Sequence, residues 1–268
     1  MQFLFESARE VDVLYYTAAA PGGGSETCSL PLVVVTATGL PPGLRGVLFA
    51  SDLQGVAPLP SAGGELALLG EVLVHRYASV ADSGAVPPAA SVGVVLAGDL
   101  FSEERGRKRG ATGDVGSVWA AFASQFAWVA GVAGNHDLFT SRTSRRVLRD
   151  PNVALLDGDA VEFDGLKIGG IGGVIGPRAK PNRRSVASFA NAVCTATCGR
   201  PDVVVMHEGP PGVGRAQRGR AEVGAALTKV HAPLVVCGHV HWAEPWASLG
   251  DTVVLNVDAR AVLVVPPS

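Results

Sequence analysis

Residues Pro233–Trp242 read PLVVCGHVHW. An apolar run ends in Gly238, and His239 and His241 follow with one residue between them. In extended chain, side chains two apart point to the same side, so the stretch predicts two imidazoles presented together at the end of a strand. The same punctuation recurs upstream in GVLFASD (46–52), SVGVVLAGD (91–99), FAWVAGVAGNHD (126–137) and PDVVVMHEGP (201–210). Each apolar run gives way to a Gly- or Pro-marked loop carrying Asp, Asn or His. Short continuous apolar runs read as strands buried on both faces.

Between these runs lie segments with apolar residues at helical spacing, at 63–84, 113–126, 183–199 and 219–230. Strand–helix alternation of this kind predicts an α/β protein with a central sheet. FDGLKIGG (163–170) places Asp-Gly between apolar residues, a hairpin signal, and TVVLNVDARAVLVV (252–265) also reads as a hairpin. Antiparallel additions to a parallel core suggest two sheets packed face to face with helices outside. The first 45 residues, broken by PGGGSETCS (21–29), read as a strand pair extending the sheet edge. The expected organisation is a single domain over 1–268, with a β extension at 1–45 and a core at 46–268.

At 47% hydrophobic and 17% charged, the chain can fill a substantial core and is not disordered. No apolar stretch reaches the roughly 18 to 20 residues that span a bilayer. MQFLFESARE lacks the basic start and long apolar run of a secretory signal. Cys28, Cys194, Cys198 and Cys237 form no C-x-x-C pair. The spacing of Cys194 and Cys198 suggests core-facing thiols on a helix, and a reduced, cytoplasmic protein is expected. A net charge of −2 argues against a general nucleic-acid binder. Yet fifteen of the 22 basic residues fall into clusters at 105–109, 142–149, 178–184 and 215–220, either solvated loops or the rim of a site for anions.

The strand ends supply Asp52 and Gln54, Asp99, Asn135, His136 and Asp137, His207, and His239 with His241. Loops at the carboxyl ends of parallel strands converge on one crevice. Carboxylate, imidazole and amide oxygen make a mixed set suited to Mn²⁺, Fe or Zn²⁺, and it is too large for one tetrahedral ion. In this order the fragments resemble the calcineurin-like metallophosphoesterases, whose pattern is Asp-x-His, Gly-Asp, Gly-Asn-His-Asp/Glu, a lone His, then Gly-His-x-His. The match runs from about Val47 to Asp258. The resemblance implies a four-layer αββα sandwich of two mixed sheets flanked by helices, with two metal ions between strand ends. It assigns Asp52, Gln54, Asp99 and His241 to one ion and Asp99, Asn135, His207 and His239 to the other, with Asp99 bridging. It makes His136 the residue that contacts phosphate or protonates the leaving group, and Asp137 is placed to orient it.

The resemblance thus implies a metal-dependent hydrolase that cleaves a phosphomonoester or phosphodiester with water activated by two divalent or transition-metal ions, Mn²⁺ first, with Fe, Zn²⁺ or Mg²⁺ as alternatives. Gln54 departs from the family pattern, which has histidine there; an amide oxygen is a weaker donor than imidazole nitrogen. Competing readings are a non-catalytic phosphate- or nucleotide-binding module on the same fold, and a nuclease drawing on the basic loops. The compact 27.4 kDa chain favours a small phosphorylated substrate over nucleic acid, with no membrane partner. Trp242 and Trp246 suit either a wall of the crevice or the core. His75 and His231 match no motif and read as surface or structural residues.

Overall fold

The computed structural model describes residues 3–267. Nine strands form one sheet in the order Val153–Leu155, Trp128–Gly131, Gly93–Leu96, Val47–Ser51, Arg260–Val265, Ser25–Thr38, Leu4–Ala19, Val56–Pro58 and Leu66–Leu68. Six form a second, in the order Asp159–Phe163, Leu166–Ile171, Val203–Glu208, Leu234–Gly238, Thr252–Asn256 and Trp246–Leu249. In each sheet the strands that carry the predicted ligands pair in parallel.

The alternation of side chains along these strands builds the layers. In Val47–Ser51, Val47 and Phe49 face the six-stranded sheet, while Leu48 and Ala50 face outward against helices. In Val203–Glu208, Val203 and Val205 point inward, and Val204 and Met206 point to the other side. The inner layer joins Phe49, Val95 and Ala130 to Ile168, Val205 and Val236. Outside the larger sheet lie Leu69–Asp82 and Gly116–Gln125, which bury Leu73, Tyr77, Trp119 and Phe122. Outside the smaller sheet lie Val186–Thr197 and Ala221–Leu227, which bury Phe189, Val193, Val223 and Leu227. The αββα sandwich therefore has three apolar layers, the inner one fed by both sheets and each outer one by a sheet and its helices.

All four predicted helical segments contain a helix. The hairpin at 163–170 forms, with Phe163 opposite Leu166. The C-terminal hairpin does not. Thr252–Asn256 belongs to the six-stranded sheet and Arg260–Val265 to the nine-stranded one, so the chain changes sheets at Val257–Ala259. Both strands are apolar on two faces, and each gains a partner on both sides by separating. The hairpin actually present joins Trp246–Leu249 to Thr252–Asn256. The N-terminal pair extends the nine-stranded sheet beyond Arg260–Val265, and on its outer side Leu4–Ala19 is paired, among the described residues, only at Thr17, opposite Val56.

Cys194 and Cys198 are exposed, contrary to expectation, because Phe189, Ala192, Val193 and Ala196 form the stripe that meets the sheet. No helix among the described residues is long and apolar enough to cross a membrane.

Candidate metal centre

The predicted ligands arrive at strand ends from both sheets. Asp52 follows Val47–Ser51, Asp99 follows Gly93–Leu96 and Asn135 follows Trp128–Gly131; His207 lies in Val203–Glu208, and His239 follows Leu234–Gly238. Asp52, Asp99 and His239 all have positive φ, at 54°, 54° and 67°. For residues with a Cβ this left-handed conformation is uncommon and strained, and the loops hold it with hydrogen bonds. The Asp52 amide donates to the Gly98 carbonyl at 2.9 Å, and the His239 amide donates to Asp52 Oδ2 at 2.9 Å. Gly238 makes that second contact possible, since a Cβ there would collide with Ser51 Oγ and Asp52 Oδ2.

Asp99, His207 and His239 bring one ligand atom each within 4.8 Å of one another. His207 is fully buried; its Nδ1–H donates to the Ala97 carbonyl at 2.8 Å, which turns Nε2 toward Asp99 Oδ2, 3.3 Å away. Asn135 is also buried, and its Oδ1, like His207 Nε2, has no hydrogen-bond partner. Buried polar atoms are nearly always satisfied, so these two unpartnered atoms, an amide oxygen and an imidazole nitrogen, suit a metal ion. The buried carboxylates set the electrostatics. Burial opposes charge on His207, yet Asp99 and Asp52 outweigh it and carry its pKa up to about 10. Burial likewise opposes ionisation of Asp99, but His207 and the His136 amide hold its carboxyl below the usual range. His239, pushed down to about 4 by burial and by His207, is neutral and free to donate its lone pair. Asp99, His207 and His239 could hold one divalent ion.

The other predicted set is less closely assembled. Asp52, Gln54 and His241 line a cavity of about 360 Å³ beside this cluster. Gln54 turns its amide nitrogen toward Asp99 Oδ2 at 3.4 Å. His241 is exposed, with Nδ1 3.3 Å from Asp258 Oδ1 and Nε2 3.1 Å from the Arg260 guanidinium. Burial and the neighbouring Asp258 raise the Asp52 carboxyl well above its ordinary pKa.

His136 is half-buried next to Asn135, and its Nδ1 lies 3.3 Å from Thr112 Oγ1. Asp137 does not orient it. The Asp137 carboxylate is buried and accepts the backbone amides of Asp99, Leu100 and Gly134, each at 2.8 Å. It ties the Asp99 loop to the Asn135 loop. Burial and the nearby Asp99 raise its pKa to about 6.

Trp242 is a core residue whose Nε1–H donates to the Arg218 carbonyl at 2.7 Å; Trp246 meets Phe5 edge-on at 5.6 Å. Neither lines the cavity. Sequence reasoning missed Asp258 and Arg260, although NVDAR follows an apolar run like the other site segments. It also passed over Arg183, a basic-cluster residue whose buried Nε has no partner and whose charge reaches His239.

The model of the calcineurin-like phosphoesterase family matches residues 46–243. The chain belongs to this family. No curated protein sequence matches it. Among solved structures, this phosphoesterase is similar to TT1561 of Thermus thermophilus, with a TM-score of 0.56 at 16% identity, covering 81% of this chain and 90% of that one. It also aligns with the phosphopantetheinyl hydrolase PptH of Mycobacterium tuberculosis, with a TM-score of 0.45 at 15% identity and the same coverage of each chain. The first likeness shows the fold. As a calcineurin-like phosphoesterase with an Asp99/His207/His239 cluster, the chain is a metallophosphoesterase.

Proposed function

We propose that the protein hydrolyses a small phosphomonoester or phosphodiester with two divalent metal ions of unequal affinity, Mn²⁺ foremost. The observation that carries this reading is the cluster of Asp99, His207 and His239, with ligand atoms within 4.8 Å of one another, and the buried, unpartnered Asn135 Oδ1 and His207 Nε2. Asp99, Asn135, His207 and His239 would hold the tighter ion; Asp52, Gln54, Asp99 and His241 would hold the weaker. Ions so held neutralise phosphoryl charge and make water a competent nucleophile near neutral pH.

The chain's own residues supply the rest. Asp52 and Asp99 keep the cluster electronegative. Arg183, with an unpaired Nε, is available to a phosphoryl oxygen. His136 holds the proton that the leaving oxygen needs, with Thr112 steadying Nδ1 so that Nε2 serves the substrate. Arg260 weakens the second ion by placing a fixed positive charge 3.1 Å from His241 Nε2.

The test is a Mn²⁺ titration of metal-stripped protein, read by metal content and by hydrolysis of p-nitrophenyl phosphate and its bis-ester. One equivalent should bind first, with turnover rising only as a second binds at higher concentration. Gln54→His should tighten the second step. Metal binding with no hydrolysis of any phosphoester would instead favour the binding-module reading.

A further inference from the structure

The cavity beside the metal cluster is lined by groups of both signs, Asp52 and Asp258 together with Lys108 and Arg109. The loop that carries the two cations is held in place. A Cβ on Gly106 would lie 2.8 Å from the Thr17 carbonyl oxygen, so this loop is seated directly on the strand Leu4–Ala19. Its far end is tied to the site through Gly113, whose amide donates to the His136 carbonyl at 3.1 Å.

The four basic residues of this loop are not equivalent. Glu103 accepts the Arg107 amide at 3.0 Å, and Arg105 and Arg107 provide its neighbouring positive charge. Lys108 and Arg109 form no ion pair among the described residues, and both line the cavity. The second basic cluster does not contribute: Arg142, Arg145, Arg146 and Arg149 line a separate surface hollow.

Two unpaired cations in one small cavity with the metal-cluster residue His239 call for a ligand that carries two anionic groups. We propose that the substrate is a small phosphoester carrying a second anionic group, which Lys108 and Arg109 receive while the phosphoryl group lies at the metal cluster. The proposal rests on the phosphoesterase reading for the phosphoryl end, and it assigns these two residues to specificity. A cavity of about 360 Å³ suits a molecule of one ring or a few carbons.

The experiment is calorimetric binding of two inert phosphonates to Mn²⁺-loaded protein: benzylphosphonate, and 4-carboxybenzylphosphonate with its added carboxylate. The second should bind about 10-fold more tightly, as one charge-assisted contact supplies. The ratio should fall toward one in the Lys108→Ala/Arg109→Ala double variant and persist in Arg145→Ala/Arg146→Ala. In the unaltered protein the ratio should shrink as salt is raised, a second reading independent of any variant. Equal affinities, no binding of either compound, or a ratio indifferent to Lys108 and Arg109 would overturn the proposal. Because binding is read without turnover, a protein that prefers the doubly anionic ligand yet hydrolyses nothing would sink the phosphoesterase reading, and Lys108 and Arg109 would then select a bound ligand and not a substrate.

Discussion

Two adjacent residues, His136 and Asp137, illustrate how differently neighbours in one motif act. Asp137 turns inward to three backbone amides, whereas His136 stands half-buried by the cavity loop. Asp137→Ala would leave three buried N–H groups without an acceptor, so we expect a loss on the order of 3–5 kcal/mol of stability and a weakened metal site. His136→Ala should keep its fold and its metal stoichiometry while turnover falls by about 10² to 10⁴-fold. Denaturant unfolding and elemental analysis of the two variants separate these outcomes. Equal loss of metal in both would return His136 to a structural role.

At the scale of elements, the helix Arg142–Val147 shows how a short polar segment is made to fold. It has six residues and little apolar periodicity, and no helix was expected there. Ser141 caps it, accepting the Ser144 amide at 3.0 Å. Asp114 then gathers the corner, accepting from the Ser141 amide at 2.7 Å, the Ser144 hydroxyl at 2.8 Å and the Gly116 amide at 3.0 Å. Burial opposes its charge, but these bonds, led by the Ser141 hydroxyl, hold its carboxyl well below the usual 3.8. An acid with a depressed folded pKa contributes stability that is present above its unfolded pKa and is lost as pH falls through the folded value. Asp114→Ala should therefore cost about 2 kcal/mol at neutral pH. The gap in Tm between variant and unaltered protein should close as pH is lowered below about 4. A gap that does not depend on pH would mean that the carboxylate charge is not what secures this corner.

Across the whole molecule, the candidate centre joins the two sheets. Asp99 and Asn135 come from loops of the nine-stranded sheet, while His207 and His239 come from the six-stranded one. A ligand that binds only the folded state stabilises it by mass action, about 2.7 kcal/mol at a hundredfold excess over Kd. Saturating Mn²⁺ should raise Tm and a chelator should reverse the rise. His239→Ala should abolish most of that response, because it removes one of the two imidazoles that the six-stranded sheet brings to the cluster. A Tm indifferent to metal in the unaltered protein would argue that no ion bridges the sheets.

The local features were legible in the chain because short-range chemistry writes them. Apolar runs ending at Asp52, Asp99, Asn135 and His239 announce strands and their loops, and the spacing of Phe189, Val193 and Ala196 announces a buried helical face. Other features depend on residues far apart. Residues 252–265 have the apolar content for two strands, but their membership of different sheets follows from which edges stood open beside Leu234–Gly238 and Val47–Ser51. Arg260 against His241, and Lys108 with Arg109 in one cavity with Asp52, are likewise products of packing. Burial preference and turn chemistry are properties of neighbours along the chain, so a reader of the chain recovers them. The choice of partner strand, and the charge that ends up facing a site, are settled when whole layers compete for the same apolar surface.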